Sequence, residues 1–446
     1  MASAAEQLAA SINFGAFAKA TELKKRLWFT LGALIVYRLG TYIPVPGIDP
    51  AIMQDVFTQN ARGILGMFDM FAGGALKRMS MFALGVMPYI SASIIMQLLT
   101  AIVPSLESLK KEGEQGRKKM NQYTRYGTVL LAVFQAYGLA IGLEGMTGSH
   151  GPAVIDPGFF FRITAVFSLT GGTLFLMWLG EQVTARGVGN GVSLIIMAGI
   201  VANLPQAMAN TLELGRTGAI STFVIIALIV MAVAVIAAIV FMERAQRRII
   251  VQYPKRQMGN RVFGGESSHL PMKLNVSGVI PPIFASSLLL LPVTIVGFAG
   301  TNGPEWLGQI TAYLGHGQPL YMVGYIALII FFCFFYASIV FNPTETADNL
   351  KKYGGFIPGI RPGKNTADYL NYILVRLTAV GAVYLAVICI LPEILISQYS
   401  VPFYFGGTSL LIVVSVTMDT VAQIQAHLLA HQYEGLIKKA KLRGRR

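Results

Sequence analysis

Cysteine is almost missing from this chain. Cys333 and Cys389 are the only two, and both fall inside long apolar stretches, so a disulfide framework is excluded and packing is their expected role. Recognisable catalytic signatures are missing too. Gly359-Ile-Arg-Pro-Gly-Lys364 has neither the spacing nor the hydroxyl of a phosphate loop, and the chain has no HExxH or GxSxG motif. Gly187-Val-Gly-Asn-Gly191 carries the glycines of a dinucleotide loop but follows an apolar helical stretch rather than a strand. His427 and His431 share a helical face at i, i+4; with no third ligand nearby they read as a solvated helix end rather than a metal site. No enzyme activity, cofactor or metal is expected. The first 20 residues lack the charged start, short apolar core and cleavage site of a signal peptide. The first apolar stretch is therefore expected to stay uncleaved and act as its own signal.

Charge is what the apolar stretches themselves lack. The run from Ala219 to Met242 contains no charged side chain, and roughly 20 apolar residues suffice to cross the hydrocarbon core of a bilayer. Comparable stretches lie near 27–43, 79–103, 123–143, 159–180, 190–210, 275–298, 319–341, 370–392 and 407–432, which makes ten. They show no alternation of apolar and polar residues, so a barrel is excluded and the spans must be helices. The expected fold class is an all-α membrane protein.

Positive charge sits on alternate connections. Of the 35 Lys and Arg, 28 fall on the N-terminal segment, every second loop and the C-terminal tail, and about five on the opposite loops. Cationic loops remain cytoplasmic, so both termini are expected inside. That asymmetry, with anionic lipid, accounts for most of the net charge of +14, which in a soluble domain would suggest nucleic acid. The loops 243–273 and 342–370 are too long and too rich in Gly, Pro and Tyr for simple turns. Both are candidate docking surfaces for a cytoplasmic partner.

Ionisable residues within the spans are few: Arg38, Arg376 and Asp419, all near helix ends. Asp419 and Arg376 are a candidate coupling pair, although snorkelling or helix packing is the preferred reading. An ion-coupled transporter with inverted repeats would need carboxylates at matched positions of both halves, and these are missing. A small-ion channel would need charged rings or a carbonyl filter, and an intramembrane protease would need catalytic motifs.

Two features do not fit a simple bundle. Gly63-Ile-Leu-Gly-Met-Phe-Asp-Met-Phe-Ala-Gly-Gly74 is apolar, bounded by glycines and about half a span long. It either lies in the interface as an amphipathic stretch or folds back into a protein-lined cavity. The second feature is a set of aliphatic runs beside Pro or Gly: Leu84-Gly-Val-Met-Pro-Tyr-Ile90, Asn190-Gly-Val-Ser-Leu-Ile-Ile196, Val279-Ile-Pro-Pro-Ile283 and Gly406-Gly-Thr-Ser-Leu-Leu-Ile412. Such helices could converge on a narrow aliphatic constriction, or the Pro and Gly could simply be those common in membrane helices.

Four long segments carry a family resemblance. They are Phe82-Ala-Leu-Gly-Val-Met-Pro-Tyr-Ile-Ser-Ala-Ser-Ile-Ile-Met-Gln97, Phe341-Asn-Pro-Thr-Glu-Thr-Ala-Asp-Asn-Leu-Lys-Lys352, Phe356-Ile-Pro-Gly-Ile-Arg-Pro-Gly363 and Val401-Pro-Phe-Tyr-Phe-Gly-Gly-Thr-Ser-Leu-Leu-Ile412. From about residue 20 onward the chain resembles the SecY family of protein-conducting channels. The resemblance implies ten transmembrane helices in two inverted five-helix halves, with a short re-entrant plug segment. The divisions would be a cytoplasmic segment 1–26, an N-terminal half 27–210, a C-terminal half 211–432 and a basic tail 433–446, with a hinge near 205–220.

The same resemblance implies residue roles. The plug would comprise Ile64, Leu65, Gly66, Met67, Phe68, Asp69, Met70 and Phe71. The pore ring would be Val86, Ile90, Val192, Ile196, Ile283 and Ile412, with valine at two positions where isoleucine is common. A lateral gate between spans 2–3 and 7–8 would release apolar segments into lipid, with Ser91, Gln97 and Ser287 as candidate gate residues. Arg361, Lys364, Lys351, Lys352, Lys255, Arg256 and Arg261 would dock cytoplasmic partners. Implied partners are the SecE and SecG membrane subunits, the SecA motor ATPase, the ribosome, SecDF, YidC, membrane lipids and unfolded preproteins with their signal sequences. The implied location is the bacterial cytoplasmic (inner) membrane.

Overall fold

Backbone surrounded by lipid must satisfy its own hydrogen bonds, and a helix does so within one segment. The computed structural model describes residues 20–60, 69, 72–145, 147–148, 151–218, 221–253, 256–258, 261–263, 267–299, 318–399 and 407–443. It places a helix at each of the ten expected positions. These are α1 (Thr21–Gly40), α3 (Met87–Ile102), α5 (Glu114–Glu144), α6 (Phe159–Arg186), α7 (Gly191–Arg216), α8 (Thr222–Arg244), α9 (Ile280–Ala299), α10 (Pro319–Val340), α12 (Lys364–Tyr399) and α13 (Gly407–Arg443). Shorter helices α2 (Pro50–Asn60), α4 (Pro104–Lys111) and α11 (Pro343–Lys352) lie between them. Among the described residues seven helices are long and apolar enough to cross a membrane singly, and α3 with α4, bent by 104°, makes an eighth. The remaining two positions are those of α1 and α9.

The all-α expectation holds, with short β-ladders in the connections. Among the described residues, three two-stranded antiparallel sheets stand between the helices: β1 (Thr147–Gly148) with β2 (Gly151–Pro152), β3 (Gln246–Gln252) with β6 (Ser267–Lys273), and β4 (Arg256–Met258) with β5 (Arg261–Phe263). Loop 243–273 is therefore largely a hairpin. Its residues have the period of two that a half-buried strand needs, with Ile249 and Val251 buried and Arg248 and Ile250 exposed.

Contacts divide the chain into two units. The first comprises Met1–Met208, Leu291–Ala312 and Ile412–Arg446. Its core gathers Val45, Met53, Met79, Leu143, Phe161 and Leu169, among others. Paired α5 and α6 are joined near both ends, by Arg125 with Glu181 and by Arg162 with Glu144, each at 2.6 Å. Two bidentate contacts so far apart fix the helix register more than they add stability.

In this unit α3 begins late. The apolar run starts near 79, yet the backbone turns through 75–86 before helix forms at Met87. At 16 residues α3 is about 24 Å long, short of the ~30 Å hydrocarbon core. Non-helical backbone at membrane depth is tolerated only inside protein. Accordingly Ala75, Met79 and Ser80 are fully buried, and the Val45 and Met81 N–H groups bond to Met79 O and Ile43 O at 2.9 Å. Gly172 of α6 lets this turn approach, since a Cβ there would overlap the Met81 carbonyl.

The second unit comprises Ala209–Leu290 and Tyr313–Leu411. In it the two long loops, 243–273 and 342–370, become one body. Ile249, Val251 and Met272 of the hairpin pack with Ile357 of the second loop and with Leu370, Ile373, Leu374 and Leu377 of α12. Gln252 and Phe356 exchange two backbone hydrogen bonds of 2.9 Å.

Candidate functional site

All six ring candidates sit at the starts of their helices. Val86 is the N-cap of α3 and Ile90 lies in its first turn; Val192 and Ile196 open α7, Ile283 opens α9, and Ile412 is in the second turn of α13. Val86, Ile90, Ile196, Ile283 and Ile412 are buried, whereas Val192 is half-buried and packs near Gly180. Ile283 belongs to the second unit and the other five to the first.

Of the plug candidates, Ile64, Leu65, Gly66, Met67, Phe68, Met70 and Phe71 lie outside the described residues. Asp69 is described, and it is buried. Its carboxylate accepts the Lys77 N–H at 2.8 Å and its carbonyl accepts the Gly74 N–H at 3.0 Å. Burial pushes its carboxyl above the usual carboxylate range, opposed by that Lys77 contact. Two neighbours at the end of α1 hold the following residues: the Tyr37 hydroxyl donates to Ala72 O at 3.3 Å, and Arg38 Nη1 donates to Gly73 O at 2.7 Å. Gly73 (φ +67°) passes so close to Tyr37 and Gly199 that a Cβ would lie 2.7 and 2.8 Å from them. Tyr37 and Arg38 were not singled out for this from sequence; the one available signal was a charge at the end of an otherwise uncharged span.

The gate candidates divide between the units, Ser91 and Gln97 in the first and Ser287 in the second. Ser91 is buried. Gln97 Nε2 donates weakly to Ser93 Oγ at 3.4 Å, while its Oε1 is buried without a hydrogen bond. The Ser287 hydroxyl donates to Ile283 O at 2.8 Å. Arg376 lies over the Tyr372 ring at 4.1 Å, a packing role, and Asp419 is exposed in the other unit.

Docking candidates cluster on the joined loops. Arg361 is exposed between Pro358-Gly359 and Pro362-Gly363, with Gly359 and Gly363 at φ +81° and +108°. Those values lie in the left-handed region that favours glycine, while Pro358 and Pro362 fix φ at their own positions. Beneath it the buried Thr366 hydroxyl donates to Arg361 O at 3.0 Å. The Arg361 guanidinium makes no ion pair among the described residues. Lys364 is exposed at the start of α12, and Lys351 and Lys352 at the end of α11. The backbones of Arg256 and Arg261 lie on β4 and β5; Lys255 lies outside the described residues.

A model of the SecY family matches residues 80–421. The chain is 57% identical over 422 residues to the protein translocase subunit SecY of Rickettsia conorii, covering 95% of this chain and 97% of that one. It is also 57% identical over 424 residues to the Escherichia coli K12 protein of the same name, covering 95% and 96%. This chain belongs to the SecY family. Solved structures share its fold at low identity. One described as a protein-conducting channel has a TM-score of 0.64 at 19% identity, covering 91% of this chain and 92% of that one. Sec61 in a canine ribosome–channel complex has a TM-score of 0.58 at 17% identity, with coverage of 91% and 92%. A third, of a SecY whose plug domain is said to stabilise the closed state and maintain a membrane seal, has a TM-score of 0.65, with coverage of 91% and 92%. SecY membership fits a multi-pass membrane protein that serves as a translocase subunit.

Proposed function

We propose that this chain forms the path by which unfolded polypeptides cross the bacterial cytoplasmic membrane and by which apolar segments leave sideways into lipid. The supporting observation is the placement of six aliphatic, uncharged residues in the opening turns of four helices. An unfolded substrate presents every side-chain type, so hydrogen-bonding or charged contacts would stall some of them. Aliphatic side chains adapt in shape and dewet a narrow passage against ions. Ser91, Gln97 and Ser287 tune lateral release. A segment partitions when its summed transfer is favourable, with leucine-like residues at about −0.3 to −0.6 kcal/mol each against about +2.5 to +3.5 for a central charge.

The halves are 27–210 and 211–432, and both termini are cytoplasmic. SecE and SecG are its membrane partners, with SecDF, YidC and lipid around them. SecA or the ribosome supplies energy at the body built from 243–273 and 342–370. Co-reconstitution with SecE- and SecG-like subunits is expected to give motor-dependent uptake of a purified precursor into vesicles. Uptake of an ion-coupled small solute by the chain alone would favour the transporter reading instead.

The segment 63–74 is read as the plug, and Asp69 makes this testable by pH. Its folded-state value lies above the unfolded one, so the protonated form holds the turn. That contribution is complete below the unfolded value and is lost as pH rises through the folded one. Resting conductance in planar bilayers is expected to rise over that window and to lose its pH dependence in Asp69→Asn, which keeps an acceptor for Lys77. A flat profile in the unsubstituted chain would remove Asp69 from the seal.

A further inference from the structure

Between the end of β6 at Lys273 and the start of α9 at Ile280 the chain has no regular structure. Six free residues would absorb any displacement of the hairpin before it reached the helix. These are not free. Asn275 is buried, 3% exposed, and its side chain uses its full hydrogen-bonding capacity. Nδ2 donates to Glu243 Oε1 at 2.7 Å and to Gly278 O at 3.1 Å. Oδ1 accepts the Ser277 hydroxyl and the Gly278 N–H, both at 3.1 Å. One amide thus ties the last turn of α8 to the turn that starts α9.

Neighbouring contacts remove the remaining slack. The Leu274 N–H bonds to Ala245 O at 3.0 Å, next to Glu243. Gly381 of α12 backs directly onto the joint, where a Cβ would lie 3.1 Å from Leu274 O and 3.6 Å from Asn275 Cα. The hairpin on one side is stiffened by the core it shares with Ile357 and α12. On the other side, the first turns of α9 carry Ile283 and Ser287.

We propose that Asn275 is a positioning residue that makes the β3–β6 hairpin and the first turns of α9 move as one piece, so that a partner seated on the hairpin acts on Ile283 and Ser287. This rests on the ring, gate and docking assignments above. All of its parts belong to one unit, and the joint is a stiff polar knot in a segment otherwise able to flex.

Asn275→Asp separates the two halves of the knot. The aspartate keeps the oxygen that accepts from the Ser277 hydroxyl and the Gly278 N–H, but it loses both Nδ2 donations, to Glu243 and to Gly278 O, and sets a second carboxylate against Glu243. Glu243→Gln in that background supplies an amide that can donate to the aspartate, restoring the link with its polarity reversed. The assay uses the complex with its membrane partner subunits in planar bilayers, and the probe is a ribosome carrying a stalled nascent chain. Ribosome affinity is expected to stay within twofold in all variants. Ribosome-triggered opening is expected to fall at least tenfold in Asn275→Asp and to recover to within threefold in the double variant. Wild-type opening in Asn275→Asp at equal ribosome occupancy, or no recovery in the pair, overturns the proposal. Should Asn275→Asp fail to assemble, Glu243→Ala tests the same link with the Ser277 and Gly278 bonds intact: lost opening supports the joint and retained opening overturns it. Ribosome-triggered opening of the unsubstituted complex tests the underlying functional reading separately, since its absence would remove that reading whatever Asn275 does.

Discussion

Replacing Ile90 and Ile196 together with glycine is expected to make the resting channel leak ions, with planar-bilayer conductance raised at least tenfold over the unsubstituted complex. Both side chains are buried, at 7% and 3% exposure, and each lies in the opening turns of its helix. Removing them takes eight carbons from the proposed constriction. A passage lined by aliphatic groups excludes ions by staying dry, and widening it lets water and then ions enter. Glycine also costs each helix about 1 kcal/mol relative to alanine, so abundance must be checked beside conductance. A single Ile196→Val is the control: it removes one methylene and keeps the surface dry, and conductance should barely change. Unchanged conductance in the double variant, at normal abundance, would take these two residues out of the ring.

The helices were legible in sequence because lipid leaves a long apolar run no alternative. The places where reading failed share a physical cause: apolar composition records burial, not backbone shape. The run beginning near 79 is as apolar as a helix, yet Gly85 (φ +56°) and Met79 (φ +44°) turn the chain until Met87. Similarly, 243–273 looked like a charged loop because its ladder becomes meaningful only beside Ile357 and Leu370, about a hundred residues away. Its alternation of Arg248, Ile249, Ile250 and Val251 was the available signal, masked by an excess of cations that also marks topology. Asn275 had no signal at all, since one asparagine in a short connection is ordinary until its four bonds are seen. Conversely, Arg361 was legible because flanking Pro-Gly pairs mark a nonhelical turn wherever they occur. The structure adds what the pattern could not supply: the Thr366 bond beneath the tip and the shared core that holds the loop against the hairpin.

That support is why Arg361→Glu should separate folding from function. The side chain is exposed and makes no ion pair among the described residues, so reversing its charge should alter stability by no more than about 0.5 kcal/mol. Abundance and assembly with SecE-like subunits are expected to be normal. A guanidinium presented on a shaped tip can engage a partner carboxylate or phosphate through two parallel bonds. Replacing it with a carboxylate turns that attraction into repulsion, and losing one side of a docked charge pair costs about 2–5 kcal/mol. Motor- or ribosome-driven uptake of a purified precursor into proteoliposomes is therefore expected to fall by more than tenfold. Lys364→Glu should be milder, because a lysine on a flexible stem fixes less geometry. Raising salt separates two forms of the effect: a screened, long-range attraction would fade in the unsubstituted complex, whereas close bidentate docking is screened far less. If Arg361→Glu transports at the unsubstituted rate, the tip serves only to keep its loop cytoplasmic, and the docking surface must be sought on Lys351 and Lys352 instead.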